Sequence, residues 1–284
     1  MLPLRKRAIL QKFFADRGTH LAAMIAYFAL LSFVPLLFLA LALLGFVGQA
    51  DEGSFFVKEL HRVFPSRSLD SILSAVHVIQ DNATALGIVG GAALLWSSLS
   101  FFSVLESAFN IVYGRPNRSF LHGKALASLL MVGSLVALFI SLLVGSIGTE
   151  VMQRYAPGFT SNAVVATVVS VLVSLVGVFV FLVSVYYVLT NERLTLQEVL
   201  PGAVVAASLL EATFQLLPAY LHLSKELPAL QATGGPVLLL VWLYVMSNLI
   251  VFGAEVNWWF SSRRRLAEAA ATGHELTEDA AGLA

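Results

Sequence analysis

The chain has 284 residues, of which 58% are hydrophobic and 12% are charged. Soluble domains contain about 45–50% apolar and about 25% charged residues, so this composition argues against an ordinary soluble domain and indicates a membrane protein. The formal net charge is zero and there is no cysteine. The lack of cysteine excludes disulfides, thiolate metal sites and a cysteine nucleophile.

Six long apolar blocks follow one another along the chain. A helix needs about 20 apolar residues to cross about 30 Å of hydrocarbon, and each block is long enough. Strands of a membrane barrel would instead alternate apolar and polar residues in segments of about ten, and the sequence lacks that alternation. We therefore predict an all-α integral membrane protein with a membrane domain over 20–260 and six transmembrane helices at about 20–48, 86–112, 125–147, 163–189, 200–221 and 236–260.

The basic residues predict the orientation of these spans. With both termini inside, twelve of the 17 Lys and Arg residues lie in inner segments and five in outer ones. Cytoplasmic segments carry such an excess, so we predict an N-in, C-in topology. The segment 1–19 is then a cytoplasmic basic lead-in, and 261–284 is a cytoplasmic tail that we expect to be disordered. The basic runs flank spans, so lipid headgroups explain them and no nucleic-acid partner is predicted.

The first outer segment, 51–85, has an amphipathic pattern. Apolar residues recur every three or four positions from Leu69 to Ile79, and a shorter apolar stretch precedes Pro65. Two interfacial helices here could lie on the outer leaflet or cap the outer mouth of the bundle. The same segment is the candidate surface for an envelope protein partner.

Three glutamates lie inside apolar blocks that contain no Lys or Arg to pair with them. A charged side chain at the centre of a bilayer costs roughly 2.5 kcal/mol or more, and such residues usually face the bundle interior and mark function. Polar residues at helical spacing share faces with these acids. The predicted cavity or transport side chains are Glu106, Asn110, Glu211, Gln215, Tyr244, Asn248 and Glu255.

Glu211 is the deepest of the three acids by sequence. It follows Pro201 by ten residues, which is about 15 Å of helical rise. Burial favours the neutral form of a carboxylic acid, so these groups are candidate proton or cation carriers. The alternative is that they form hydrogen bonds between helices without a role in transport. Pro35 and Pro218 lie within the first and fifth spans and are predicted to kink them.

Enzyme chemistry finds little support in the sequence. The six histidines are scattered and form no short-spaced metal pair, and there is no Gly-x-x-x-x-Gly-Lys phosphate loop. We therefore predict no catalytic residue, no metal and no cofactor, and we expect a protein that is not an enzyme.

Four motifs, in chain order, resemble those of one known family. They are the first-span stretch 25–36, the acidic-Ser-Ala-x-Asn element from Glu106 to Asn110, the fifth-span segment 200–212 and the sixth-span segment 241–256. Over 20–260 the chain is similar to the YihY/BrkB family of bacterial inner-membrane proteins. It departs from the family pattern at Val188, where the family has a proline, and at 233–234, where the family has Tyr-Gly.

The resemblance implies a six-span protein of the bacterial inner membrane, but no settled activity. Family members carry the labels virulence factor, ribonuclease BN and transporter or lipid-export component, and the ribonuclease label finds no catalytic residues in this chain. The sequence favours a transporter- or flippase-like protein that moves a lipid, amphiphile or ion past the glutamates, with membrane lipids as its partners. The alternatives are a non-transporting scaffold for an envelope protein and a membrane enzyme that acts on a lipid.

Overall fold

Seven helices make up the part of the chain that the structure, a computed structural model, describes. The described residues are 9–46, 83–119, 121–134, 136, 163–226 and 235–281, with side chains at 9–33, 96–119, 121–134, 136, 168–169, 171–217, 219–220, 222 and 237–265. In chain order the helices are α1 Ile9–Ala15, α2 Gly18–Phe46, α3 Ala83–Tyr113, α4 121–134, α5 Ala163–Leu189, α6 Leu196–Glu226 and α7 Gly235–Ala281. These ranges contain no strand, so the predicted all-α class is confirmed for them.

Five of the helices pack as a closed ring. Helix α7 packs against α2 on one side and α6 on the other, α6 packs against α5, and α2 packs against α3. Contacts between α3 and α5 close the ring, and α7 also touches α3 across it. Small residues at these contacts, such as Ala22, Ala108 and Ala203, are fully buried. Small side chains let the helix backbones approach closely, which is how helices associate in lipid.

Helices α6 and α7 approach each other at two glycines, Gly202 and Gly253. A Cβ added at Gly253 would lie 2.7 Å from the Cβ of Ala206 and 2.9 Å from the carbonyl oxygen of Gly202. The N–H of Gly202 donates a 2.6 Å hydrogen bond to Oδ1 of Asn257 across the same contact. The crossing therefore depends on the absence of side chains at both glycines.

Three described helical segments are long and apolar enough to cross a membrane, namely Val171–Leu189, Leu196–Leu217 and Val237–Arg265. They coincide with the fourth, fifth and sixth predicted spans, and Gly18–Phe33 in the first span is a shorter apolar helix. The outer face of α5 exposes Leu172, Val176 and Val180 one turn apart, and each is more than half exposed. An apolar stripe of this kind suits lipid as its surroundings. The number of six spans and the N-in, C-in orientation remain predictions.

The fifth predicted span starts earlier in the structure than in the prediction. Helix α6 begins at Leu196 and not at 200, because Glu198 accepts a 2.8 Å hydrogen bond from the N–H of Thr195 and so caps the first turn. Helices α2 and α6 run through Pro35 and Pro218 as continuous elements, and the kinks expected there remain predictions. Residues 51–82 of the outer amphipathic segment lie outside the described residues.

The C-terminal segment is helical over most of the range that we expected to be a disordered tail. Helix α7 continues from the sixth span to Ala281. The segment after Arg265 is rich in alanine, which has the highest helix propensity. Because the helix is already nucleated in the bundle, each added residue extends it without a new nucleation cost.

Candidate functional site

Charged and polar side chains gather at one end of the bundle. We call this the polar end and define it as residues 106–119, 189–198 and 255–265 together with Lys12 and Asp16. Here α3 ends in a turn: the N–H of Gly114 donates to the carbonyl of Ile111 at 3.0 Å, and the N–H of Arg115 donates to the carbonyl of Asn110 at 2.7 Å. The φ of Gly114 is 63°, so this is a Schellman ending, which favours glycine. The turn leads the chain back towards the end of α5.

Glu106 lies on α3 beside Arg118, which follows this turn. Its Oε1 lies 3.6 Å from Nη1 of Arg118 and accepts a 3.4 Å hydrogen bond from the backbone N–H of the same residue. Arg118 also donates to the carbonyls of Leu189 at 2.6 Å and Thr190 at 2.8 Å, at the end of α5. A Cβ added at Gly123 would lie 2.9 Å from Oε2 of Glu106, so the carboxylate packs on the first turn of α4. A helix N-terminus favours a negative charge in that place.

Asn110 is fully buried one turn after Glu106 and connects two loops. Its Oδ1 accepts a 2.7 Å hydrogen bond from the N–H of Asn191, and its Nδ2 donates to Oδ1 of Asn117 at 3.1 Å. Asn191 in turn donates from Nδ2 to the carbonyl of Pro116 at 2.9 Å. The loop that follows α3 and the loop that follows α5 are therefore held together through one buried amide.

Glu255 is the third predicted acid, and its side chain is fully buried on α7. Its Oε2 lies 2.9 Å from Nζ of Lys12, a residue of α1 that is itself 9% exposed. The same ammonium group donates to the carbonyl of Val112 at 2.8 Å, pairs with Asp16, and lies 4.1 Å from the ring centre of Trp258. Lys12 therefore joins α1, α3 and α7 around one buried positive charge.

Glu192 lies between two arginines at the outer rim of the polar end. Oε1 accepts a 2.9 Å hydrogen bond from Nη1 of Arg265, and Oε2 accepts one from Nε of Arg115. Partial burial acts to raise the pKa of Glu192, but the hydrogen bonds and charges of Arg115 and Arg265 outweigh it and lower the pKa below its ordinary value of 4.5. The carboxylate is therefore held in its charged form.

Glu211 lies away from the polar end, between α5 and α6. Its Oε2 accepts a 2.7 Å hydrogen bond from the hydroxyl of Ser174 on α5, and its Oε1 accepts a 2.9 Å hydrogen bond from Nε2 of Gln215. The residue is 6% exposed. None of the cations with described side chains forms an ion pair with it, so its two partners are neutral donors.

Several buried polar groups at the polar end have no hydrogen-bond partner among the described residues. They are the hydroxyl groups of Tyr113 and Thr190, the amide nitrogen of Asn257 and the carboxylate oxygens of Glu255, of which Oε2 meets Lys12 as an ion pair. Burial raises the pKa of Tyr113, and the nearby charge of Glu198 raises it further, so its hydroxyl keeps its proton and offers a donor. Unsatisfied buried polar groups usually have water or a ligand as partners in solution.

A partly open cavity of about 300 Å³ lies between the helices. Residues of α2, α3, α4, α5 and α7 form its wall, so it lies where five helices converge. Its lining is mostly apolar, with three serine hydroxyls, and consists of Ala29, Ser32, Phe33, Ser98, Phe101, Phe102, Met131, Ser134, Phe181 and Leu243.

The structure distributes the predicted site residues over three places. Glu106, Asn110 and Glu255 lie at the polar end, and Glu211 pairs with Gln215 between α5 and α6. Asn248 donates to the carbonyl of Tyr244 within α7 at 2.7 Å. None of these seven residues is among the ten that line the cavity. Sequence reasoning missed Lys12, Arg118 and Ser174, the partners of the three acids.

The fold and the site define the class of protein. Long apolar helices with exposed apolar faces, and buried carboxylates matched by cations or hydroxyls, are the features of a helical membrane protein. Within the described residues no group of three or more His, Cys, Asp or Glu side chains could hold a metal ion. The chain belongs to the virulence factor BrkB family, whose model matches residues 9–277. The family recognised from the sequence motifs is thereby confirmed.

Relatives of the chain have two kinds of name. It is 24% identical over 266 residues to the ribonuclease-like protein YfkH of Bacillus subtilis (strain 168). The aligned residues cover 92% of this chain and 96% of that protein. It is 28% identical over 273 residues to a UPF0761 membrane protein of Azotobacter vinelandii, covering 91% of this chain and 64% of the relative. It is also 28% identical over 270 residues to a UPF0761 membrane protein of Rhodospirillum rubrum, covering 86% of this chain and 57% of the relative. The chain thus spans less than two thirds of the last two relatives. No solved structure matches it.

Proposed function

We propose that the protein is an inner-membrane transport protein that moves an amphiphile, such as a lipid, between the two sides of the membrane. The observation that carries this proposal is the partly open cavity of about 300 Å³ whose described lining comes from five helices. Ligand sites between the helices of a bundle have volumes from about 300 Å³ upwards and are lined mainly by apolar side chains with a few polar groups. The cavity meets this description.

The lining favours an amphiphile over an ion. Of the ten described residues that line it, seven are apolar, four of them phenylalanines, and three are serines. An ion that enters such a space would lose its water shell without enough oxygen ligands to replace it. An acyl chain has no such water shell to lose, and the serine hydroxyls can form hydrogen bonds with a polar group at its end.

The charged pairs suit a gate at one end of this path. The pair of Lys12 with Glu255 joins α1 to α7, and Arg118 joins Glu106 of α3 to the carbonyl of Leu189 at the end of α5. Both lie at the polar end, which the charge distribution predicts to be cytoplasmic. Movement of a ligand through this end requires those contacts to rearrange. Glu211, held by neutral donors between α5 and α6, is the acid that we propose to take up and release a proton during transport.

The test compares two alanines of α2 that differ in their position. Ala29 lines the cavity, whereas Ala23 is exposed on the outside of the helix. The wild type, Ala29→Phe and Ala23→Phe are reconstituted into vesicles that contain a phospholipid with a fluorescent acyl chain, and a membrane-impermeant quencher follows its movement between leaflets. We expect Ala29→Phe to reduce the rate to that of empty vesicles and Ala23→Phe to keep the wild-type rate.

Two results would contradict the proposal. One is a wild-type protein that moves no lipid faster than empty vesicles do, and the other is an Ala29→Phe protein that is as active as the wild type. Elution of each variant as a single symmetric peak in detergent shows that a lost rate does not come from misfolding.

A further inference from the structure

A second pocket lies at the polar end, apart from the apolar cavity. It forms where the loop after α3 faces the loop between α5 and α6, and its volume is about 440 Å³. Its lining consists of Arg115, Arg118, Asn191, Glu192 and Arg193. Three guanidinium groups therefore share this space with one carboxylate.

The carboxylate does not neutralise the pocket. Glu192 is already shared between Arg115 and Arg265, and Arg265 is not part of the lining. The bond from Arg115 uses Nε alone, which leaves its two terminal nitrogens without a hydrogen-bond partner among the described residues. Arg193 is exposed, and its guanidinium group has no hydrogen-bond partner in the described part of the chain. Arg118 is countered by Glu106, which lies 3.6 Å away and outside the lining. The free N–H donors of the pocket are therefore those of Arg193 and the terminal nitrogens of Arg115, and the guanidinium of Arg193 supplies its unpaired positive charge.

The floor of the pocket is fixed before any ligand arrives. Arg118 is held by the carbonyls of Leu189 and Thr190 at 2.6 and 2.8 Å. Asn191 is held through its N–H, which donates to Asn110 at 2.7 Å. A ligand that binds here need not order these groups, and preorganisation of this kind increases affinity.

The pocket lies at the level where a membrane span ends. Its second loop begins directly after the span Val171–Leu189 and ends before the span that starts at Leu196. Basic pockets between membrane helices on the cytoplasmic side bind anionic headgroups. The planar, forked guanidinium group also matches the oxygens of a phosphate better than an ammonium group does.

We propose that this pocket binds a phosphate group, with Arg115 and Arg193 as its mobile donors and with Arg118 and Asn191 as its fixed floor. The phosphate comes either from the headgroup of an anionic phospholipid or from a free phosphate in solution. This site goes beyond the transport function proposed above and holds whether or not the cavity carries a substrate.

The experiment measures binding and not flux. The full chain in detergent is titrated with phosphatidylglycerol, and bound lipids are counted by native mass spectrometry. A parallel arm follows the thermal unfolding of the protein with inorganic phosphate. The test variant is Arg193→Gln, and the control is Arg263→Gln. Arg263 is an exposed residue of the polar end that does not line the pocket, and its Cζ lies 3.8 Å from the ring centre of Trp259.

Arg193→Gln should weaken phosphatidylglycerol binding about tenfold, as the loss of a hydrogen bond to a charged group would, and Arg263→Gln should bind like the wild type. If the lipid binds in this way and inorganic phosphate does not change the thermal unfolding, the bound phosphate group comes from the lipid headgroup. Stabilisation of the wild type by inorganic phosphate, lost in Arg193→Gln, identifies free phosphate. Equal weakening by both variants, or binding of neither probe, would overturn the site. Neither outcome depends on transport activity, so the two proposals fail separately.

Discussion

The ammonium group of Lys12 lies 2.9 Å from Oε2 of Glu255, and both side chains are buried. The two residues come from opposite ends of the chain, and each would carry a large desolvation cost without the other. Helix α1 has only seven residues, too few to be stable alone. The ion pair and the contacts around it therefore make this short N-terminal helix part of the membrane bundle.

Replacement of Lys12 by methionine should destabilise the protein by about 3–5 kcal/mol, because it leaves the Glu255 carboxylate buried without its cation. The double variant Lys12→Met with Glu255→Gln should recover most of this loss. Circular dichroism during unfolding in detergent measures the stability of the single and the double variant. Asp16→Asn serves as the control, since Asp16 is 25% exposed and its loss should cost much less. Additive losses in the double variant would contradict a direct pairing of Lys12 with Glu255.

Gly253→Ala should destabilise the bundle by about 1–3 kcal/mol, the usual cost of overpacking a close contact. The added methyl group would meet the hydroxyl of Tyr186 on α5 first, and would lie 2.7 Å from the Cβ of Ala206 and 2.9 Å from the carbonyl oxygen of Gly202 on α6. Gly177→Ala on α5 is the matched control, because an added Cβ there meets nothing within 4 Å among the described atoms. Alanine favours a helix over glycine by up to about 1 kcal/mol, so the control should be neutral or slightly more stable. Equal melting temperatures for the two variants would exclude the tight packing of α5 and α6 around Gly253 of α7.

Glu211→Gln should abolish any dependence of lipid transport on a pH gradient while the protein keeps its stability. The amide can still accept from Gln215 through its oxygen and can donate through its nitrogen to the hydroxyl of Ser174, so both contacts of the carboxylate are replaced. Transport into vesicles with and without a pH gradient provides the measurement. A Glu211→Gln protein that transports like the wild type under both conditions would remove Glu211 as the proton carrier.

The helical membrane architecture could be predicted because it depends on the length of apolar blocks. The span Val171–Leu189 falls inside the predicted fourth span, and the other two span candidates overlap the fifth and sixth. Local capping signals were also present in the sequence. Thr195 and Glu198 form a capping box that predicts the start of α6, and Gly114 after Tyr113 marks the end of α3.

The partners of the buried acids could not be predicted in the same way. Lys12 and Arg118 lie in segments whose positive charge the topology rule already explains, so nothing in the sequence assigned them to Glu255 and Glu106. Ser174 lies 37 positions from Glu211 on another helix, and its contact depends on how α5 and α6 pack. Side-chain pairing across helices is a tertiary property, whereas hydrophobic periodicity is a local one.

Acidification should weaken the polar end through Glu192. Its pKa in the folded protein lies below the ordinary value of 4.5, so the charged carboxylate stabilises the fold above that pH. This contribution is lost as the pH falls through the lowered pKa, because protonation then breaks the contacts with Arg115 and Arg265. We expect this group to change the melting temperature little between pH 7 and about pH 4.5, and to lower it as the pH falls from 4.5 through the lowered pKa. The fall should be smaller in Glu192→Gln, which is already weaker at pH 7. Since all other carboxylates are unchanged, the difference between the two proteins isolates Glu192. Parallel pH profiles would show that this carboxylate does not stabilise the loop between α5 and α6.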